Sequence, residues 1–320
     1  MPESVEISQA VARLDLVRQE IGKVIVGQQD VVDGVIICLL AGGHVLLEGV
    51  PGLGKTLSVK VLARALNVTF QRVQCTSDLM PADLLGSNIL NLQNGTFSLH
   101  QGPMFTDLLL VDEVNRMPPR TQASLLESME ERQVTIDGVR HSLSPLFTVL
   151  ATQNPVEFEG TYPLPEAQLD RFLLKIKIGY PSAQQELEIL AKHNNPAASL
   201  TEQVEIAPIE PEVLQQARME LRQLTVEQSL LGYISEITRR TRSWPSVSLG
   251  ASPRAGISLM LVAKALAALG DRDYVIPDDV KAAVLPALRH RIILRPEAEL
   301  EGLDTDRVLT DVLAAVEVPK

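Results

Sequence analysis

The stretch HVLLEGVPGLGKTLSVKVLARAL, residues 44–66, decides the fold of the chain. It opens with a short apolar run typical of a buried strand, and TLSVKVLARAL (56–66) has the pattern of a helix. Between them, GVPGLGKT matches the phosphate-loop pattern G-x-x-x-x-G-K-[S/T]. Glycines let such a loop curl so that successive N–H groups point at phosphate oxygens, and the start of the helix adds its positive dipole end.

The loop predicts a site for ATP. We expect Lys55 to reach the β and γ phosphates and the Thr56 hydroxyl to ligate Mg²⁺. The expected nucleotide-binding residues of this stretch are Gly49, Val50, Pro51, Gly52, Leu53, Gly54, Lys55, Thr56 and Leu57.

A second apolar run, LLLVDEVN, ends in two adjacent carboxylates, Asp112 and Glu113. Carboxylates at the end of a buried strand are costly unless they meet a cation. We expect Asp112 to hold Mg²⁺ through its water shell and Glu113 to polarise a water for attack on the γ-phosphate. A strand-end cap is the alternative, and the phosphate loop upstream favours the catalytic interpretation.

Further strand-like runs lie at 69–75, 107–114 and 146–154, with helical patterns between them. Strands that alternate with helices predict an α/β fold with a parallel, three-layer sheet. From about Gly179 onward helical patterns replace the strand runs. We therefore expect an α/β core followed by a smaller all-α domain.

The expected domain boundaries are 1–179 for the nucleotide-binding core and 180–320 for the helical domain. Apolar residues at helical spacing within 1–25 predict a leading helix in the core. The dipeptides Asn94-Gly95 and Asp137-Gly138 lie between alternating runs, so each predicts a β-hairpin with a tight turn inserted into the core.

The composition of the 320-residue chain is that of a globular protein, with 45% hydrophobic and 22% charged residues. No apolar run is long enough to span a bilayer and no signal peptide is expected, so the cytoplasm is the predicted location. A net charge of −11 and only 3% aromatic residues disfavour a nucleic-acid partner. Cys38 and Cys75 are expected to be buried thiols.

Four segments together resemble the MoxR family of AAA+ ATPases: GVPGLGKT, LLLVDEVNRMPPRTQASLLESMEERQVTIDG, FTVLATQNPVEFEGTYPLPEAQLDRF and LGASPRAGISLMLVAKALAALGDRDYVIPDDV. The resemblance extends from about residue 20 to 295. It implies an ATP-hydrolysing core, a helical lid and assembly of identical subunits into a ring, expected to be a hexamer.

The resemblance also implies roles for single residues. Lys55 and Thr56 match the Walker A positions, and Asp112 and Glu113 match the Walker B pair. Asn154 matches sensor 1, where a polar side chain can hydrogen-bond the attacking water or the γ-phosphate; a turn-forming Asn before a proline is the alternative.

Two arginines complete the implied site. Arg254 matches sensor 2, which touches the nucleotide phosphates, and the alternative is a solvated arginine in the first turn of a helix. Arg171 matches the arginine finger, which enters the site of a neighbouring subunit and stabilises charge on the γ-phosphate. The alternative for Arg171 is an exposed charge paired with Glu166 or Asp170. The segment Val26–Gln28 resembles the stretch that lines the adenine pocket.

The family resemblance implies chaperone-like remodelling or maturation of protein partners, reached through adaptor proteins with von Willebrand factor A domains. A chelatase-type motor subunit for metal insertion is a second hypothesis, because that group shares the ATPase layout and the hairpins. A nucleic-acid-remodelling ring is the third, and the acidic charge balance disfavours it.

Overall fold

The computed structural model describes residues 9–50, 54–92, 95–155, 160–194 and 211–319. Four residues named above, Pro51, Gly52 and Leu53 of the phosphate loop and Asn94 of the first predicted turn, lie outside the described residues.

Five parallel strands form the central sheet, in the order β2-β5-β8-β1-β9. All four strands expected from the sequence belong to it, which confirms the predicted α/β fold. The strands are β1 (Val45–Glu48), β2 (Phe70–Gln74), β3 (Gly86–Asn91), β4 (Thr96–Gln101), β5 (Leu108–Asp112), β6 (Gln133–Ile136), β7 (Val139–Ser142), β8 (Thr148–Gln153), β9 (Leu174–Lys177), β10 (Val247–Leu249) and β11 (Ile293–Leu294).

The burial of strand β5 shows that the central sheet is covered on both faces. All of its residues are buried, and successive side chains point to opposite faces of a sheet. Leu108 and Leu110 join one buried cluster, whereas Leu109 and Val111 join the other. Continuous apolar runs of this kind are typical of parallel strands with helices on either side.

The sequence did not predict the fifth strand, β9. Its residues LKIK alternate at the edge of the sheet, because Leu174 and Ile176 are buried while Lys175 is partly exposed and Lys177 is exposed. Lys175 pairs with Glu48 at 2.6 Å. A run of four residues that includes two lysines is too short and too polar to be recognised as a buried strand from the sequence alone.

The described helices agree with the expected helical patterns, and α4, α12 and α13 are additional. They are α1 (Gln9–Val24), α2 (Gln29–Ala41), α3 (Lys55–Ala65), α4 (Pro81–Leu85), α5 (Pro119–Glu131), α6 (Glu166–Leu169), α7 (Ala183–His193), α8 (Pro211–Gln223), α9 (Gln228–Arg242), α10 (Pro253–Leu269), α11 (Pro277–Leu288), α12 (Pro296–Leu300) and α13 (Thr305–Ala315). Within the described ranges, no helix combines the length and the apolar character needed to cross a lipid bilayer.

Two antiparallel hairpins, β3–β4 and β6–β7, project from the core. In the second, Asp137 and Gly138 have φ values of 49° and 81°. Positive φ at both central residues is what a type I′ turn requires, so the predicted turn is confirmed. Asn88 of β3 donates a hydrogen bond to Asp137 at 2.8 Å, which links the two hairpins.

The C-terminal region is helical as predicted, and the structure adds the short antiparallel pair β10–β11. Helix α10 packs against α11 and α9, and also against α1 and α2 from the start of the chain. The helical region therefore shares one buried cluster with the core. The domain boundary at 179/180 stays a prediction. Both cysteines are buried free thiols, and burial raises the pKa of Cys75 to about 12.

Candidate nucleotide-binding site

The described parts of the phosphate loop connect β1 to the N-terminus of α3. Gly54 precedes this helix in the left-handed conformation, with a φ of 79°. A Cβ atom on Gly49 would lie 2.6 Å from the carbonyl oxygen of Ile178, so only glycine fits where β1 ends beside the residue that follows β9. Lys55 Nζ donates a hydrogen bond to Gly49 O at 2.7 Å. Burial lowers the pKa of Lys55, and the carboxylates of Asp112 and Glu113 oppose that shift.

Asp112 ends β5 with a side chain that is 11% exposed. Its Oδ2 atom lies 2.6 Å from Nε of Arg72. Its Oδ1 atom accepts a hydrogen bond from the hydroxyl of Thr152 on β8 at 3.2 Å. The carboxylate is thus held from both neighbouring strands, β2 and β8.

Glu113 has a backbone conformation that is uncommon for a residue with a side chain. Its φ and ψ are 58° and 53°, in the left-handed region. Its N–H donates to Thr152 Oγ1 at 2.9 Å, and its Oε2 atom lies 3.0 Å from Nε of Arg116. Backbone strain of this kind recurs at functional sites, where the surrounding contacts hold it in place.

A pocket of about 350 Å³ lies at the carboxyl ends of β1, β5 and β8. It brings together eight residues singled out from the sequence: Gly49, Gly54, Lys55, Thr56, Leu57, Asp112, Glu113 and Asn154. The described lining residues are Gly49, Gly54, Lys55, Thr56, Leu57, Arg72, Gln74, Asp112, Glu113, Thr152, Gln153 and Asn154.

Sequence reasoning missed Arg72, Gln74 and Thr152. Arg72 and Gln74 lie near the end of β2, and Arg72 Nη2 donates to Gln74 Oε1 at 3.1 Å. The only signal was polar residues at the end of the strand run 69–75. Their place in the pocket depends on β2 lying beside β5, which the sequence does not state.

Arg171 and Arg254 lie together in a second cleft of about 230 Å³. Arg171 Nε is 3.3 Å from one carboxylate oxygen of Glu130, and Arg254 Nη1 is 3.2 Å from the other. Glu130 belongs to α5, so the ion pair of Arg171 differs from the alternatives Glu166 and Asp170. Neither arginine is among the described residues that line the phosphate-loop pocket.

Arg254 thus lies outside the described lining of that pocket, and its contact with a nucleotide phosphate stays a prediction. Arg254 lies in the first turn of α10, where its side chain is 49% exposed. The segment Val26–Gln28 also lies apart from the described lining of the pocket, with Gln28 buried next to the start of α2.

Comparison with known proteins agrees with this architecture. Residues 44–174 match the ATPase family associated with various cellular activities (AAA), and residues 239–312 match the AAA lid domain. The chain is 46% identical to the uncharacterised protein YeaC of Bacillus subtilis, over 94% of this chain and 93% of that protein. It is 39% identical to chaperone MoxR1 of Mycobacterium tuberculosis, over 94% of this chain and 81% of that protein.

A solved structure, that of a candidate ATPase from Cytophaga hutchinsonii, is similar with a TM-score of 0.90 and 44% identity. The match covers 97% of this chain and 96% of the other. A parallel sheet with a phosphate loop, an acidic strand end and a helical lid defines an AAA+ ATPase. Within that class, the chain belongs to the MoxR family.

Proposed function

We propose that the chain is a Mg²⁺-dependent ATPase that acts as a ring of identical subunits and remodels protein partners. One observation carries this proposal. Lys55, Asp112, Glu113 and Asn154 line one pocket, whereas Arg171, a cation suited to the γ-phosphate, lies in a different cleft of the same chain. A complete site then requires two subunits.

Within the pocket each side chain has a distinct role. Lys55 binds the β and γ phosphates, and exchanges its hydrogen bond to Gly49 O for phosphate oxygens. Glu113 orients and polarises the attacking water, and Asn154 hydrogen-bonds that water or the γ-phosphate. The Thr152 hydroxyl accepts from the backbone N–H of Glu113 and donates to the carboxylate of Asp112, so it holds the backbone of Glu113 beside that carboxylate.

The pocket also offers ligands that suit Mg²⁺. A hydroxyl from Thr56 and a carboxylate from Asp112 are the hard oxygen donors that this ion prefers. When bound, Mg²⁺ neutralises charge that develops on the phosphates. Arg72 pairs with one oxygen of Asp112, so this guanidinium would compete with the metal for the carboxylate.

The two arginines of the second cleft, Arg171 and Arg254, are suited to bind the phosphates of a nucleotide held by a neighbouring subunit. Both guanidinium groups are partly exposed and meet at one carboxylate, that of Glu130. A γ-phosphate offers the same kind of acceptor with more charge, and charge-assisted bonds from arginine to phosphate are strong. We assign Arg171 as the finger and Arg254 as a second cation delivered with it.

Protein remodelling is supported by the similarity to a relative named a chaperone. We propose that adaptors with von Willebrand factor A domains bring clients to a hexameric ring. We prefer this function to the chelatase-type alternative because MoxR-named relatives match most of the chain.

A mixing experiment tests the shared site. Glu113→Gln subunits keep the finger but cannot hydrolyse ATP, and Arg171→Ala subunits keep the water-polarising carboxylate but lack the finger. Mixing the two inactive preparations should recover part of the ATPase activity, because some interfaces then contain both intact groups. Co-assembled rings that recover no activity would exclude a finger acting on the neighbour.

A further inference from the structure

Arg291 is a buried cation outside the phosphate-loop pocket. It follows α11, and its side chain is 2% exposed. Its Nε atom lies 2.6 Å from Oδ1 of Asp170, the residue immediately before the finger Arg171. A charge removed from water to this extent requires partners on most of its N–H groups.

Those partners are concentrated on the segment 170–173. Arg291 Nη2 donates to the carbonyl oxygens of Asp170 at 3.1 Å and Phe172 at 2.7 Å, and Nη1 donates to that of Leu173 at 3.2 Å. The neighbouring His290 places Nε2 2.9 Å from the same Phe172 oxygen. One side chain thus fixes the backbone on both sides of the finger.

The contacts also tie this segment to helix α10. Arg291 Nη2 donates to Ser258 Oγ of α10 at 3.1 Å, and its Nη1 donates to Ala287 O of α11. Ser252, the N-cap of α10, donates to Oδ2 of Asp170 at 3.4 Å. Arg254 lies two residues further along. The finger segment and the start of α10 therefore form one hydrogen-bonded unit.

Packing alone does not explain this arrangement. Burial lowers the pKa of Arg291, and Asp170 opposes that shift through its hydrogen bond and charge. A buried ion pair is often no more stabilising than apolar side chains of the same volume. What the planar guanidinium supplies is several N–H donors in a fixed geometry, which lysine lacks. This suits a group that must hold a loop in one position.

We propose that Arg291 is a positioning residue that holds Arg171 on the helical region, so that Arg171 and Arg254 reach the neighbouring nucleotide as a unit. This inference depends on the proposed function, in which Arg171 acts on the next subunit. Because none of the hydrogen-bond partners of Arg291 named above lines the phosphate-loop pocket, its loss should impair the neighbour's site and spare its own.

The test uses Arg291→Lys, which keeps the charge, together with Asp170→Asn, which keeps the backbone carbonyls. Each variant should lower kcat by about tenfold or more while the affinity for a fluorescent ATP analogue stays within about twofold. Mixing either variant with Glu113→Gln subunits should recover ATPase activity. Mixing either with Arg171→Ala subunits should not, because both preparations then lack a working finger.

Arg272→Lys is the matched control. Arg272 forms two 2.6 Å contacts with the buried Asp279 in the same helical region, away from the finger segment. The Arg272→Lys variant should change kcat by less than about twofold. Should Arg171→Ala recover activity with Glu113→Gln while Arg291→Lys and Asp170→Asn do not, the positioning role is wrong and the shared site stands. Should no pair recover, the shared site and this inference both fail.

Discussion

Arg72 Nε lies 2.6 Å from Oδ2 of Asp112, so a cation from β2 occupies the carboxylate that we assign to Mg²⁺. The side chain of Arg72 is 48% exposed and that of Asp112 is 11% exposed. A half-exposed pair of this kind contributes at most about 1 kcal/mol, because solvent screens it. It is strong enough to compete with a metal and weak enough to be displaced.

Arg72→Ala should therefore raise the affinity for the divalent ion. Freed from its partner, Asp112 should bind Mn²⁺ up to about fivefold more tightly in the presence of a non-hydrolysable ATP analogue. Electron paramagnetic resonance of free Mn²⁺ measures this directly. Lys281→Ala, which removes an exposed cation paired with Asp278, is the control. Unchanged or weaker Mn²⁺ binding in Arg72→Ala would contradict the competition.

The close approach at Gly49 leads to a second prediction. Gly49→Ala places a Cβ atom 2.6 Å from a backbone oxygen that cannot move without shifting the end of the sheet. We expect a loss of about 1–3 kcal/mol in the free energy of unfolding, together with weaker ATP-analogue binding.

Gly232→Ala is the matched control. This glycine lies inside α9 with nothing within 4 Å of an added Cβ, so alanine should stabilise by about 0.5–1 kcal/mol. Equal effects at both positions would refute the steric argument.

His44 makes stability depend on pH. Its Nδ1 accepts the N–H of Val149 at 2.9 Å, so the proton is on Nε2, which faces Met129 O at 3.1 Å. Burial, with smaller contributions from nearby Arg132 and Arg218, lowers the pKa of His44 from 6.5 to about 3, and the hydrogen bond with Met129 opposes that shift. The unfolded chain takes up a proton below about pH 6.5 while the folded chain does not. Stability contributed by neutral His44 is therefore present above pH 6.5 and lost as the pH falls toward 3.

His44→Gln should remove part of this dependence. Between pH 7 and pH 5, the wild-type chain should lose on the order of 1–2 kcal/mol more than the variant in urea unfolding. His290 is also buried with a pKa well below 6.5, so a dependence of the same sign should remain in the variant. His100→Gln, on the exposed strand β4, is the control. Parallel pH profiles for wild type and His44→Gln would show that His44 does not carry the effect.

The sequence predicted those parts of the molecule that depend on local pattern. The apolar run ending at Asp112 and the glycines before Lys55 identify a strand end and a loop without knowledge of the sheet. Contacts that depend on strand order were not predictable, and Thr152 is the clearest case. Its hydroxyl reaches Asp112 only because β8 lies next to β5.

The position of Arg254 shows the same limit at longer range. A motif indicated that this residue is functional, but its partner Glu130 lies 124 residues away in the chain. Side chains separated in this way meet only through the packing of the helical region against the core, which no local pattern encodes. The motif therefore predicted that Arg254 is functional, but not that it lies in the cleft with Arg171 and Glu130.

Glu130→Gln separates two roles for the paired arginines. If Arg171 and Arg254 serve mainly to brace the chain, removing the shared carboxylate should lower ATPase activity as Arg171→Ala does. If they act on a neighbouring phosphate, Glu130 is a competing acceptor, and its loss frees both guanidinium groups. We expect Glu130→Gln rings to keep the wild-type kcat or exceed it by up to about threefold, since pairs this exposed contribute no more than about 1 kcal/mol.

Arg171→Ala should instead lower kcat by about 10³-fold or more. Steady-state ATPase rates at saturating ATP, on rings of confirmed size, decide between the two, and a Glu130→Gln rate as low as that of Arg171→Ala would rule out the competing-acceptor role.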